Sequence, residues 1–210
     1  MTRLNLALKS SRTSFDPLVP ASHADRPIES HSEGAWRGGL CMVGGNGLPT
    51  IGLDVGGVLL DRSLGADEAS FFGTRPMDTP VMLGALEAVR TLAGIFEGRI
   101  LIVSRAGHRT RELSRQWLGL HGFLGDEMIP PSSIHFVEKR SEKAPLCKAL
   151  GVTHFVDDHL DVLSDMQIPF RILFRGAALP AEPDGILSPS VVSCGDWAEL
   201  LSLVRRTMHS

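Results

Sequence analysis

An apolar run that ends on a carboxylate constrains the fold of this chain more than any other stretch. Residues 51–61 read Ile-Gly-Leu-Asp-Val-Gly-Gly-Val-Leu-Leu-Asp, so that Asp54 follows a strand-like run and precedes Gly56 and Gly57. Such strands are usually buried in a sheet, where a lone carboxylate is unfavourable unless a cation or a reaction uses it. The glycines let a ligand approach the backbone closely. An Asp that caps an ordinary turn explains this stretch equally well.

The composition excludes several classes of protein. The chain has 210 residues, of which 43% are hydrophobic and 21% are charged, and its formal net charge is -3. Because the basic residues form neither a large excess nor a long run, no nucleic-acid partner is expected. No apolar run approaches the roughly 20 residues of a transmembrane helix, so no membrane partner is expected. The odd number and wide spacing of Cys41, Cys147 and Cys194 fit neither a disulfide framework nor a zinc site and predict a reducing, cytoplasmic location.

Residues 1–47 differ in composition from the rest of the chain. They mix Ser, Pro, His, Arg and Gly with few clustered large apolar residues, so they bury too little surface to offset the entropy of ordering. Their first part, Met1 to Phe15, is basic and weakly similar to a transit peptide, but its apolar residues alternate rather than form a secretory core. We interpret 1–47 as a disordered tail and 48–206 as one folded domain.

Strand and helix patterns alternate along the predicted domain. After the first strand, the predicted strands are 99–103, 134–137, 154–156 and 170–174. The predicted helices start at Pro80 with Thr79 as N-cap, at Arg109, at Glu142 with Ser141 as N-cap, near Leu160 and at Asp196. This alternation predicts an α/β, Rossmann-like three-layer sandwich with a central parallel sheet. Ligands of such sheets bind outside the carboxyl ends of the strands.

Polar side chains stand at three of these strand ends. Asp54 ends the first strand, Ser104 follows the second, and Asp157 and Asp158 end a later one. Carboxylates brought together raise each other's pKa values unless a cation binds them, and oxygen ligands of this kind suit magnesium. Two solvated acids at the start of a helix are the ordinary explanation of the Asp pair taken alone.

Lys143 is predicted in the first turn of a helix, where the helix dipole disfavours a cation by about 0.3–1 kcal/mol. An anion held at the strand ends would compensate, and the hydroxyl of Ser104 would donate to the same anion. Taken alone, Lys143 is ordinarily a solvated surface lysine and Ser104 a residue of a turn. Their occurrence together with the three carboxylates favours one shared site.

In this order the residues resemble the motifs of the haloacid dehalogenase-like phosphohydrolase superfamily, over nearly all of 48–206. Four stretches carry the resemblance: Leu53-Asp54-Val55-Gly56-Gly57-Val58, Ile102-Val103-Ser104, Lys143-Ala144-Pro145 and Phe155-Val156-Asp157-Asp158. The resemblance implies a haloacid dehalogenase-like fold in which the strand of Asp54 lies between those of Ser104 and Asp157.

The resemblance also implies a reaction on a phosphorylated small-molecule substrate. Asp54 would be the nucleophile that forms an aspartyl phosphate, while Ser104, Arg105 and Lys143 would bind the phosphate. Magnesium would be held by carboxylates and one backbone carbonyl, from Asp54, Gly56, Asp157 and Asp158. The implied enzyme is a magnesium-dependent phosphomonoester hydrolase.

Gly56 departs from the family pattern, because phosphatases of the family usually carry an Asp there as general acid and base. Such help is worth roughly 10²–10⁴ in rate, so the alternative function is a catalytically weak module that binds phosphate or protein. Asp61 and His108 are predicted near the same edge and could compensate. A dehalogenase would need no metal and would leave the pair Asp157 and Asp158 without a role.

The segments around the predicted site are too short for a cap domain. Only 62–79 and 130–141 are available there, which predicts a capless, open site covered at most by a flap bearing Phe71 and Phe72. Packing within the domain is the ordinary role of two such aromatics. If exposed, they would offer an apolar surface to a macromolecule or to a second copy of the chain in a homodimer.

Overall fold

A central parallel sheet organises the computed structural model, which describes residues 47–63, 71–176 and 191–208. Within these residues the sheet has six strands: β1 (Ile51–Leu53), β2 (Ile100–Arg105), β3 (Ile134–Val137), β4 (His154–Asp157), β5 (Phe170–Phe174) and β6 (Val191–Cys194). Their order is β3-β2-β1-β4-β5-β6, and each neighbouring pair is parallel. β1 therefore lies between β2 and β4, as expected.

Helices alternate with the strands. The described α-helices are α1 (Ala85–Ile95), α2 (His108–Leu120), α3 (Lys143–Ala149), α4 (Leu160–Ser164) and α5 (Trp197–Met208). Short 3-10 turns precede α1, β3 and α3 at Pro76–Asp78, Pro131–Ser133 and Arg140–Glu142. The predicted α/β class with a central parallel sheet is confirmed.

Neighbouring side chains of one strand pack into two different apolar clusters. Ile102 and Val156 belong to a cluster that includes residues of α1, α2 and α5, whereas Val103 and Phe155 belong to one that includes residues of α3 and α4. Successive side chains of a strand point to opposite faces of its sheet. Helices therefore cover both faces, which makes three layers.

Gly52 lies in the middle of β1 because an aromatic ring occupies the place of a side chain. A Cβ atom at Gly52 would lie 2.7 Å from Cδ2 of Phe155 on the neighbouring strand. The Phe155 ring is fully buried, and Nζ of Lys143 is 5.7 Å from its centroid. The missing side chain thus lets the Phe155 ring pack against β1.

The predicted start of the first helix is wrong. The helix begins at Ala85 rather than Pro80, because the preceding residues pair with the chain that leaves β1: Asp61 N–H donates to Pro80 O, and Met82 N–H donates to Leu59 O. Gly84 has a φ of 81°, and this left-handed conformation interrupts any helix.

The two predicted N-caps are also wrong. The hydroxyl of Thr79 donates to Pro76 O over 2.8 Å, three residues back in the chain. Ser141 lies inside the 3-10 turn before α3, where Glu142 Oε2 instead accepts from the N–H groups of Glu138 and Lys139. A carboxylate that reaches back to the backbone has replaced the expected serine cap.

One strand was missed, and one prediction stays open. β6 lies between the predicted strand 170–174 and the predicted helix at Asp196, where no strand was predicted, and only two of its four residues are buried, so its apolar signal is weak. Residues 1–46 lie outside the described residues, so the tail at 1–47 and the domain at 48–206 stay predictions.

Within the part of the chain that the structure describes, no helix is long and apolar enough to cross a membrane.

Candidate active site

Asp54 and Ser104, which were predicted at the ends of neighbouring strands, line one cavity, whereas Asp157 and Asp158 are not in its lining. Its volume is about 80 Å³, and Asp54, Gly56, Ser104, Arg105 and Lys143 all line it. β1 and β2 are adjacent and parallel, so their carboxyl ends open at the same edge of the sheet. The structure thus brings together the residues predicted as nucleophile and as phosphate ligands.

Lys143 lies between two carboxylates. Its Nζ is 2.7 Å from Asp157 Oδ2 and 3.1 Å from Asp54 Oδ1, and the residue is only 1% exposed. Burial opposes its charge, but the charges of Asp54 and Asp157 outweigh burial and raise the pKa of Lys143 above its ordinary value. A lysine that is unfavourable in the first turn of α3 is therefore held in the charged form.

Asp54, Asp157 and Asp158 form a carboxylate cluster, in which one oxygen of each residue lies within 4.8 Å of the others. Burial, and then the charge of Asp54, raises the pKa of Asp157 and raises the pKa of Asp158 to about 6. Arg62 Nη1 is 3.4 Å from Asp158 Oδ2. Within the described residues, the two cations in contact with the cluster are Lys143 and Arg62, so its negative charge is not fully balanced.

The carboxylate cluster fits a divalent cation. Asp158 Oδ1 is buried, and no described residue donates a hydrogen bond to it; carboxylate oxygens are the ligands that magnesium prefers. Gly57 makes room for this arrangement, since its φ is 78° and a Cβ atom there would collide with Asp158 Oδ2. The role of the Gly56 carbonyl as a metal ligand stays a prediction.

Similarity to solved structures identifies the fold. A haloacid dehalogenase-like family hydrolase from Xanthomonas campestris matches 79% of this chain and 98% of its own, with 14% identity and a TM-score of 0.52. An uncharacterized protein from Listeria monocytogenes serotype 4b matches 78% of this chain and 100% of its own, with 14% identity and a TM-score of 0.55. A protein from Burkholderia xenovorans LB400, described as a haloacid dehalogenase-like hydrolase, matches 76% of this chain and 97% of its own, with 18% identity and a TM-score of 0.50.

The chain has the haloacid dehalogenase-like fold. No protein-family model and no curated protein matches the sequence. The resemblance found in the motifs is thus confirmed at the level of the fold, while the capless type stays a prediction.

Several residues that line the cavity of this haloacid dehalogenase-like fold were not predicted. Thr110 and Ser114 lie one turn apart on α2, and Ser114 is buried. Their i, i+4 spacing on the helix that follows Ser104 is a signal that could have found them. Arg62 and Arg140, which also line the cavity, come from connections whose course no local pattern predicts.

The two residues proposed to replace the missing acid do not line this cavity. Asp61 lines a neighbouring cavity, and its Oδ1 accepts from the N–H of Ser63 over 2.8 Å. His108 is exposed at the start of α2 and lines neither cavity.

Phe71 and Phe72 both line the cavity but differ in exposure. Phe71 is 7% exposed and belongs to the apolar core, whereas Phe72 is 75% exposed; their rings meet edge to face with centroids 5.8 Å apart. Packing within the domain is thus confirmed for Phe71 alone. Residues 64–70 of the predicted flap lie outside the described residues.

Proposed function

We propose that the protein is a magnesium-dependent phosphomonoester hydrolase that acts through an aspartyl phosphate on Asp54. The observation that carries this proposal is the position of Asp54, at the end of the central strand, within 3.1 Å of a buried lysine and beside the carboxylate cluster. The cavity of about 80 Å³ has room for about six water-sized atoms, which is the scale of a phosphoryl group.

The proposed reaction has two displacements at phosphorus. The carboxylate of Asp54 attacks the phosphoryl group, and the bond to the leaving-group oxygen breaks. Water then attacks the aspartyl phosphate, which releases inorganic phosphate and restores Asp54. Bound to Asp54, Asp157 and Asp158, magnesium would supply positive charge against the phosphoryl oxygens.

Lys143, Ser104 and Arg105 bind the phosphoryl group in this proposal. Because its two carboxylate partners raise the pKa of Lys143, the lysine stays protonated at neutral pH and acts as a charge rather than as a base. Asp157 contributes by holding the lysine through the 2.7 Å contact. The phosphoryl group thus meets a preorganised cation next to the nucleophile.

Turnover of p-nitrophenyl phosphate with and without magnesium tests the proposal. We expect magnesium-dependent turnover in the wild type and a loss of more than about 10³-fold in Asp54→Asn, which removes the nucleophile but is nearly isosteric. Asp126→Asn is a matched control, because Asp126 is exposed and lies outside the cavity. Substantial turnover by a folded Asp54→Asn variant would refute the covalent mechanism.

The alternative function is a catalytically weak module that binds phosphate or a protein. Gly56 favours it, since the residue two positions after Asp54 offers no acid. Phosphate binding detected by calorimetry without turnover of any substrate would support this alternative. A screen of phosphorylated metabolites would name the substrate, and a cytoplasmic location and a homodimer stay predictions.

A further inference from the structure

The lining of the cavity carries more positive than negative charge. Among the described residues it contains Arg62, Arg105, Arg140 and Lys143 but a single carboxylate, that of Asp54. Lys143 is already paired with the buried carboxylates. Arg105 and Arg140 are exposed, so their charges remain available to an anion larger than one phosphoryl group.

Arg62 lies directly beside the residue two positions after the nucleophile. A Cβ atom on Gly56 would be 3.4 Å from Cδ of Arg62 and 3.7 Å from its Nη1. The Arg62 side chain therefore lies in van der Waals distance of the place that a Cβ atom at position 56 would take. Half of the Arg62 side chain remains exposed, which leaves it able to contact a ligand.

Among the described residues, the cavity has no carboxylic acid in its lining besides the proposed nucleophile Asp54. The imidazole that lines it, His159, lies with Nε2 2.8 Å from Nη2 of Arg140. Because a guanidinium group only donates, this nitrogen of His159 accepts the hydrogen bond, and the other ring nitrogen, Nδ1, lies 3.9 Å from Asp161 Oδ1. The other side-chain donors in the lining belong to serine, threonine and arginine residues and to Lys143.

We propose that the substrate joins its phosphoryl group to a leaving group that departs as a stable anion, above all a second phosphate, and that Arg62 binds this departing anion. The inference rests on the proposed aspartyl phosphate mechanism at Asp54 and extends the substrate class from phosphomonoesters to phosphoanhydrides. A cation stabilises a leaving group that is already an anion, whereas an alkoxide would need a proton.

The reaction balances without an acid. The Asp54 oxygen forms a bond to phosphorus, and the electron pair of the breaking P–O bond goes to the bridging oxygen, which leaves as part of a phosphate anion. Water then cleaves the aspartyl phosphate; one of its hydrogens stays on the released inorganic phosphate, and the other leaves as a proton to solvent. No oxidant, reductant or further reactant is needed.

Substrate ranking by the wild-type full-length protein is the first test. We expect kcat/KM for inorganic pyrophosphate to exceed that for glycerol 3-phosphate by about 10²-fold or more, the scale of general acid help that an alkyl ester would lack. Acetyl phosphate, whose leaving group is a carboxylate, tells whether a second phosphate is required or any anion suffices. If p-nitrophenyl phosphate and glycerol 3-phosphate are turned over but pyrophosphate is not, this inference is wrong and the phosphatase proposal stands. If none of the four is turned over, both are wrong.

Arg62→Gln is the second test. We expect it to lower kcat/KM for pyrophosphate by about 10²-fold, as for loss of one charge-stabilising donor, and to lower that for p-nitrophenyl phosphate by less than about tenfold, because that leaving group carries less charge. Arg62→Lys should restore part of the difference. Arg90→Gln is the matched control, since Arg90 is exposed on α1 and does not line the cavity.

Binding of imidodiphosphate, followed by calorimetry, gives a readout independent of turnover. The affinity should fall in Arg62→Gln and stay unchanged in Arg90→Gln. Arg62 also pairs with Asp158, and if that structural role were its only one, all substrates would lose activity by the same factor and imidodiphosphate affinity would not change. That result would overturn the assignment of Arg62.

Discussion

Lys143 contacts both Asp54 and Asp157 within 3.1 Å and is almost inaccessible to solvent. Breaking a buried ion pair by removing one partner costs about 3–5 kcal/mol, because the other charge stays buried without compensation. The lysine therefore contributes to stability as well as to the proposed chemistry. Measuring the free energy of unfolding at two pH values separates these two contributions. At the lower pH the carboxylates take up protons, so they no longer need the charge of Lys143.

We expect Lys143→Met to lower the free energy of unfolding by about 3 kcal/mol at pH 7.5 without magnesium. At pH 5.5 the loss should be smaller, because the raised pKa of Asp157 rises further without the lysine and the carboxyl group becomes neutral. Urea unfolding at the two pH values measures this. Lys148→Met, which removes an exposed lysine from the same helix, should change stability by less than about 0.5 kcal/mol. An equal loss at both pH values would contradict the argument.

His154 lies at the amino end of β4, away from the site, in a satisfied polar network. Thr153 Oγ1 is 2.8 Å from its Nδ1, and Thr207 Oγ1 is 2.9 Å from its Nε2. The hydroxyl of Thr153 also lies 2.9 Å from Thr50 O, to which it donates. Each ring nitrogen of His154 therefore has a hydroxyl group within hydrogen-bond distance. Burial lowers the pKa of His154 to about 4.

This buried histidine makes stability depend on pH. The unfolded chain has a histidine pKa near 6.5, so between about pH 6.5 and 4 it binds a proton that the native state does not, and stability falls as pH falls. The loss attributable to His154 is at most about 3 kcal/mol. His154→Phe keeps a ring between Phe96 and Phe170, on which His154 packs, but takes up no proton. As pH falls, we expect the free energy of unfolding to decrease more in the wild type than in His154→Phe. Equal decreases in the two proteins would contradict this.

At the scale of elements, the turn that follows β1 contains two glycines with different constraints. Gly57 has a left-handed φ, and a side chain there would collide with Asp158. A side chain on Gly56 would meet Arg62 no closer than 3.4 Å, an ordinary contact, and Gly56 is not among the glycines with positive φ. Only Gly57 is therefore required by geometry.

We expect Gly56→Asp to fold and to raise turnover of glycerol 3-phosphate at least about tenfold more than turnover of p-nitrophenyl phosphate, since only the poor leaving group needs a proton. Gly57→Ala should instead lose stability, because its Cβ displaces Asp158. Thermal unfolding and the two rates decide the outcome. Equal rate effects of Gly56→Asp on both esters would mean that proton delivery does not limit the enzyme.

At the scale of the whole molecule, the sheet order places the site. The chain runs from β1 outward to β3 on one side, then crosses to β4 and runs outward to β6 on the other. The switch point lies between β1 and β4, and there the carboxyl ends of strands diverge to leave a crevice. Residues separated by about a hundred positions, such as Asp54 and Asp157, meet only because of this crossing.

A metal at the carboxylate cluster should stabilise the whole domain. Magnesium at one hundred times its Kd would add about 2.7 kcal/mol, which for a chain of this size raises Tm by about 2–4 °C per kcal/mol. We expect a rise of several degrees in the wild type, with sodium chloride of equal ionic strength as control. Asp157→Asn and Asp158→Asn should reduce it, and Asp126→Asn should retain it. Equal shifts in all proteins would contradict the metal assignment.

The class of fold and the central residues of the site could be predicted from the sequence. The spacing of apolar residues, the length of a strand and the polar residue that follows it are all visible in a short stretch of sequence. These local patterns predicted the positions of Asp54, Ser104 and Asp157 at strand ends. Parallel packing then requires those ends to share an edge. The same locality explains the errors: the start of α1 depends on hydrogen bonds between residues 59–61 and 80–82, and β6 depends on pairing with β5.

The tertiary structure alone decided which charges meet. Arg62 and Arg140 lie in connections without a periodic pattern, so only the folded chain places them at the cavity. In the folded chain, Asp61 and His108 lie outside the lining of this cavity, although their sequence positions placed them near the same edge. Periodicity determines which face of an element is buried, but the direction of a connecting segment follows from long-range contacts, because many backbone paths between two fixed ends have similar local energies.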